Sequence, residues 1–127
     1  MRIVVTSVLV DDQDKALGFY TGKLGFQTRQ DLPVGEFRWL TVGSPDQPEG
    51  PELLLEPDAH PVAKLYKQAL LEDGIPVASF GVDDCRSEFE RLSAAGVRFV
   101  REPLEANGTT MAVLDDTCGN LIQIASR

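Results

Sequence analysis

The 127-residue chain is short of the residues on which metal, redox and nucleic-acid functions usually depend: one histidine, two cysteines, and 12 Lys and Arg against 20 Asp and Glu. Cys85 and Cys118 share no CxxC spacing, which excludes a zinc knuckle and a dithiol redox motif, and two thiols are too few for a disulfide scaffold. Buried or half-buried free thiols are expected. A net charge of −8 without any Lys/Arg cluster argues against nucleic acid and anionic membrane surfaces, and favours a cationic ligand if there is one. No run approaches the roughly 20 apolar residues that span a bilayer. The opening MRIVVTSVLVDD has acids where a signal peptide would place a small-residue cleavage site, so a cytoplasmic protein is expected.

What the chain does contain is a duplication. Val10-Asp11-Asp12 answers Val82-Asp83-Asp84 at a spacing of 72, and each precedes a helical pattern closed by a glycine, Gly25 or Gly96. The aspartates offer oxygens and negative charge to the unpaired N–H groups of a helix start, and the glycines suit a helix end. Helices are predicted over about Gln13–Lys23, with Ala16, Phe19, Tyr20 and Leu24 inward, and Cys85–Ala95, with Phe89 and Leu92 inward. Three further strands follow in each copy. They are about Phe26–Gln30, Glu36–Val42 and Glu52–Glu56 in the first, and Arg98–Arg101, Thr109–Leu114 and Leu121–Ala125 in the second. GSPDQPEGP, REPLEANG and DDTCGN are expected as breaks. Between the copies, Val62, Leu65, Tyr66, Ala69 and Leu70 make an apolar stripe on a connecting helix that ends at Gly74.

The fold class is therefore α+β, two βαβββ modules in one domain: residues 1–58, a connector at 59–74, and residues 75–127. Two four-stranded sheets facing each other across a cup is the economical arrangement.

The stretches VLVDDQDKALGFYTGKLGF and LDDTCGNLIQI resemble the vicinal oxygen chelate superfamily, which includes glyoxalase I, bleomycin-resistance proteins, fosfomycin-resistance enzymes and extradiol dioxygenases. The resemblance covers essentially the whole chain. It rests on the run Asp12 to Phe26 (Asp-x-x-x-Ala-x-x-Phe-Tyr-x-x-x-Leu-Gly-Phe) and the turn Asp116-x-x-Gly119-Asn120, in that order. It implies a cupped mixed β-sheet and, in the enzymes, a divalent metal held by the first and last strand of each module. Carried onto this chain, the first-strand positions are Val5 and Val77, which cannot bind a metal. The last-strand position of the second module is Gln123, and its counterpart in the first is Glu52, or Leu54 or Glu56 if the strand slides by a pleat. Two oxygen ligands at most would not hold a transition metal, so no metal and no cofactor is expected.

Strand alternation then describes the cup. If Val5, Val77 and Gln123 face inward, so do Ser7, Leu9, Ser79 and Leu121, a mainly apolar lining with small hydroxyls and one amide. Gln123 serves either as a neutral anchor for a ligand or as a strut bonded to backbone or to Glu52. Trp39 shares a face with Phe37 and Thr41 and serves either core packing or the cavity wall. Glu52 and Glu56 share a pleat direction and are the candidate general bases, a role that requires a raised pKa inside the cup. His60, before Pro61, fits a helix start or a substitute metal ligand. The functional expectation is a metal-free, homodimeric protein holding a small amphipathic or drug-like molecule; the alternative is a lyase, isomerase or dioxygenase, possibly metal-independent, with Glu52 or Glu56 as base.

Overall fold

The computed structural model describes residues 1–127. In the first half, strand β1 (Val5–Val10) leads to helix α1 (Gln13–Gly22), then β2 (Gln27–Val34), β3 (Phe37–Gly43) and β4 (Glu52–Pro57). In the second, β5 (Ala78–Gly81) leads to α3 (Cys85–Ala94), β6 (Phe99–Ala106), β7 (Thr109–Asp115) and β8 (Leu121–Ser126), with α2 (Pro61–Glu72) joining the halves. Each half forms a four-stranded sheet, ordered β1-β4-β3-β2 and β5-β8-β7-β6. The first and last strands of each module pair parallel and the rest antiparallel. By internal contacts the chain divides into Met1–Leu65 and Tyr66–Arg127.

The paired aspartates work as the repeat predicts. Asp12 accepts from the Lys15 N–H and Asp84 from the Ser87 N–H, each at 3.0 Å, so each helix begins on a side-chain cap. Gly25 and Gly96 take φ of +86° and +91°, the left-handed conformation that releases the chain from a helix. Each sheet then buries one face under its own helix. In module one that face carries Val8, Val10, Leu40, Val42, Leu53 and Leu55 against Ala16, Phe19 and Tyr20; in module two it carries Leu114, Ile122 and Ile124 against Leu92. Full burial of one such Leu or Ile contributes about 1.5–3 kcal/mol, so these layers dominate each module's stability.

The hairpins run further than the sequence suggests. β2 continues through Pro33, and β6 continues through most of REPLEANG, which was expected to break the strand. Both are edge strands, where a residue without an N–H removes no ladder bond. The register is irregular between Phe99, Arg101 and Leu104, the stretch that contains Pro103, as at a β-bulge. Asn107 and Gly108, with φ of +54° and +78°, close β6 onto β7 in a two-residue turn.

Helix α2 departs from expectation. The stripe formed by Val62, Leu65 and Tyr66 is 63, 67 and 54% exposed, and the buried residue is Lys67. Its Nζ donates to the Cys118 carbonyl at 2.6 Å, inside the turn that Asp116 organises by accepting from the Cys118 and Asn120 N–H groups and the Asn120 amide. A charge-assisted bond of this kind holds the lysine where an apolar side chain was expected.

Candidate functional site

The outward face of the module one sheet, away from α1, holds most of the residues singled out above. Register places Val5, Ser7 and Leu9 beside Glu52, Leu54 and Glu56 on the parallel pair β1 and β4, and Thr41 beside Leu54 on β3 and β4. Neighbours in register share a face. Trp39 and Phe37 extend that face along β3 and stay 37 and 40% exposed, so neither is a core residue.

The β3 and β4 ladder stops at Thr41 and Leu54, and Gln13 is the reason. From the first position of α1, its Nε2 donates to the Arg38 carbonyl at 2.8 Å and to the Leu55 carbonyl at 2.9 Å, while its Oε1 accepts from the Arg38 N–H at 3.1 Å. The amide therefore stands in for the next rung and parts the strands. Two residues further along that register, Trp39 and Glu56 come to face each other across the opened gap. A cavity of about 220 Å³ lies there, walled by Phe37, Trp39, Leu54 and Glu56 with Val34, Pro57 and Ala59. Arg38 also borders it, but its guanidinium is tied to Asp14 and, at 3.0 Å, to Asp31. No side chain of the protein donates to Glu56.

Glu52 is differently placed. Thr41 Oγ1 donates to its Oε1 at 2.5 Å and Gln30 Nε2 donates to the same oxygen at 2.8 Å. These bonds, Thr41 foremost, hold the carboxyl below its ordinary value, with Arg29 adding to the effect and partial burial opposing it. A general base near neutrality needs the opposite shift, so the geometry disfavours Glu52 in that role. Thr41, fully buried, and Gln30 were not among the residues read from the sequence as site candidates. Alternation along β3 signalled Thr41, but nothing local signalled Gln30.

In module two, Ser79 pairs with Gln123, and the Gln123 Nε2 donates to the Ser79 hydroxyl at 2.9 Å. The amide is thus bonded to a neighbouring side chain, neither to backbone nor to Glu52, and its Oε1 takes no donor from the protein. Val77 precedes β5, with its N–H donating to the Leu121 carbonyl at 2.9 Å. Leu121 is buried.

Register also settles which residue of module one corresponds to Gln123. Ser7 lies beside Leu54 as Ser79 lies beside Gln123, whereas Glu52 lies beside Val5. The counterpart is Leu54, one pleat from Glu52. The four positions implied for a metal are then Val5, Leu54, Val77 and Gln123. Three aliphatic side chains and one amide do not fit a divalent ion, and no three His, Cys, Asp or Glu side chains cluster elsewhere in a way that could hold one. His60 is engaged at the start of α2, its Nδ1 accepting from the Val62 N–H at 3.1 Å. Cys85 and Cys118 are buried and form no disulfide, and burial pushes the Cys85 thiol up. No helix is long and apolar enough to cross a membrane.

Comparison with known proteins adds to this geometry. The family described as "Glyoxalase/Bleomycin resistance protein/Dioxygenase superfamily" matches residues 2–124. Uncharacterized protein YurT of Bacillus subtilis is 54% identical over the full length of both chains. A lactoylglutathione lyase of Neisseria meningitidis is 27% identical, covering 100% of this chain and 91% of its own. Among solved structures, UcmS2 superposes with a TM-score of 0.87 at 37% identity, covering 100% of this chain and 98% of its own. TnmS3, an antibiotic binding protein from Streptomyces sp. CB03234, superposes with a TM-score of 0.79 at 25% identity, covering 99% and 95%.

Proposed function

We propose that this chain, which belongs to the Glyoxalase/Bleomycin resistance protein/Dioxygenase superfamily, is a metal-independent binding protein that holds a small amphipathic or drug-like molecule. The observation that carries this reading is the register just described, which leaves Val5, Leu54 and Val77 where a catalytic member would need ligands. The likeness to an antibiotic binding protein supports it. The ligand contacts are proposed to come from the outward sheet faces: Val5, Ser7, Leu9, Trp39, Leu54 and Glu56 in module one, and Val77, Ser79, Leu121 and Gln123 in module two. The proposal includes a homodimer, supported by the exposed apolar stripe of α2 and by the prevalence of twofold assemblies.

Native mass spectrometry and elemental analysis of freshly purified protein test the proposal together. The expected result is a retained organic molecule or an empty chain, with less than a tenth of an equivalent of transition metal (roughly, since a resident ion binds near one per chain) and a melting temperature indifferent to chelator. About one metal per chain, surviving dialysis and lost in Gln123→Leu, would overturn it. A mass near 13.9 kDa by light scattering at micromolar concentration would remove the dimer. The second reading is a metal-independent lyase or isomerase, which the lyase relative favours. Glu56, the acid without a protein donor, is the base available to it.

A further inference from the structure

The cavity opened by Gln13 has a composition that names a ligand class. Two aromatic side chains, Trp39 and Phe37, sit two residues apart on one face of β3 and keep more than a third of their surface exposed in an otherwise apolar wall. Large exposed aromatics beside a concavity supply flat contact area. Across the gap stands Glu56, half-buried and with no hydrogen-bond donor from the protein. A carboxyl with no donor from the protein is open to a ligand's positive group, the partner with which carboxylates make their strongest contacts. The only cationic side chain at the cavity, Arg38, is already neutralised by Asp14 and Asp31. An anionic ligand would meet no free positive charge there, and it would be repelled by a chain of net charge −8.

Size narrows the class further. An apolar cavity of about 150 Å³ accepts benzene, so one of about 220 Å³ accommodates a two-ring system. A cation placed over the indole face also gains from the ring quadrupole, Trp being the strongest of the aromatic partners.

We infer that the module one cavity selects aromatic cations, seating a flat ring system of about two fused rings against Trp39 and Phe37 with its positive charge at the Glu56 carboxylate. The inference rests on the binding reading above and sharpens it by naming the chemistry of the ligand. Gln13 is a positioning residue, because it holds β3 and β4 apart without lining the cavity.

The test is a titration of the full chain with N-methylquinolinium, quinoline at pH 8 and naphthalene-2-sulfonate, followed by calorimetry and by the emission of Trp39, the only tryptophan. The cation is expected to bind saturably at one equivalent per chain, about tenfold or more tighter than neutral quinoline, since its charge is attracted both by the carboxylate and by the indole face. The sulfonate is expected not to compete. Glu56→Gln should erase the preference by weakening the cation about tenfold while leaving quinoline unchanged. Equal affinity for cation and neutral ring, or preference for the sulfonate, overturns the cationic assignment but leaves a binding protein. Tetramethylammonium binding as tightly as the quinolinium overturns the aromatic part. Should Glu56→Gln fail to fold, the preference of the unaltered protein decides alone. Absence of binding by every ring overturns the inference, and the native mass measurement then judges the broader reading separately.

Discussion

Gln13 and Cys85 occupy the same place in their modules, the first residue of a helix capped by an aspartate, and they act oppositely on the sheet beneath. Gln13 reaches between β3 and β4 and takes three backbone partners, so the strands part. The Cys85 side chain makes only a long thiol contact, 3.8 Å, to the Ile124 carbonyl, while its N–H donates to the Ser126 hydroxyl at 2.9 Å, and the β7 and β8 ladder runs unbroken from Thr110 and Ser126 to Asp115 and Leu121. The outward faces diverge in step. Where module one has Trp39, Thr41, Glu52 and Glu56, the matching rungs of module two carry Met111, Val113, Leu121 and Ala125. The caps and turn glycines that set the frame stayed alike in both copies, and so did Val5 with Val77 and Ser7 with Ser79, but the other side chains facing away from the helices did not. A duplicated scaffold therefore locates its chemistry by where the copies disagree.

The largest way to break this comparison is to shorten the wedge. Gln13→Ala strips three hydrogen bonds from Arg38 and Leu55 and should cost about 2–4 kcal/mol at roughly 1 kcal/mol per bond. The matching Cys85→Ala should cost about 1 kcal/mol, the loss of one small buried group. Urea unfolding of both variants checks this, and equal costs would mean that the amide is no wedge. A smaller effect is expected from Gln123→Leu, which removes one bond to Ser79: stability should change by about 1 kcal/mol or less, with any retained ligand binding more weakly. A large loss of stability with unchanged ligand affinity would make Gln123 a strut. The smallest effect belongs to Glu52→Gln and is visible only against pH. Because the folded carboxyl titrates below its ordinary value of 4.5, its ionised form stabilises the fold above that value, and the contribution disappears as pH falls through the folded pKa. The stability gap between Glu52 and its amide variant should therefore be constant near neutrality and close between about pH 4.5 and the folded value, with no counterpart at Leu121.

Much of the frame was legible in the sequence because its signals are local. An aspartate pair before a helical pattern and a glycine after it fix a helix wherever the rest of the chain lies, and alternation grouped Ser7 with Val5 on β1, Trp39 with Phe37 and Thr41 on β3, and Gln123 with Leu121 on β8, while leaving Trp39 open between core and cavity wall. What escaped depends on partners distant in sequence. The sequence left Glu52, Leu54 and Glu56 open as counterparts of Gln123, with Glu52 first, because the loops before β4 and β8 differ in length, and only the pairing with Ser7 and Ser79 sets the register at Leu54. Gln13 reads as an ordinary first-turn residue until Arg38 and Leu55, 25 and 42 positions away, are brought beside it. Lys67 was unreadable for the same reason, since its partner is a carbonyl 51 positions away. Pro103 misled in the other direction: proline weighs against a strand unless the strand is known to lie at an edge.

That edge placement bears on how a chain with two similar halves avoids tangling. During synthesis the first module's strands meet near-copies of themselves in the second, and a strand of one could add to the open border of the other. Pro33 and Pro103 interrupt the donor row on β2 and β6, the outermost strand at the hairpin end of each sheet. At the opposite border of module two, β5 offers only four residues. The two prolines thus act as spacers between kin, discouraging a hybrid sheet that the duplicated sequence would otherwise invite.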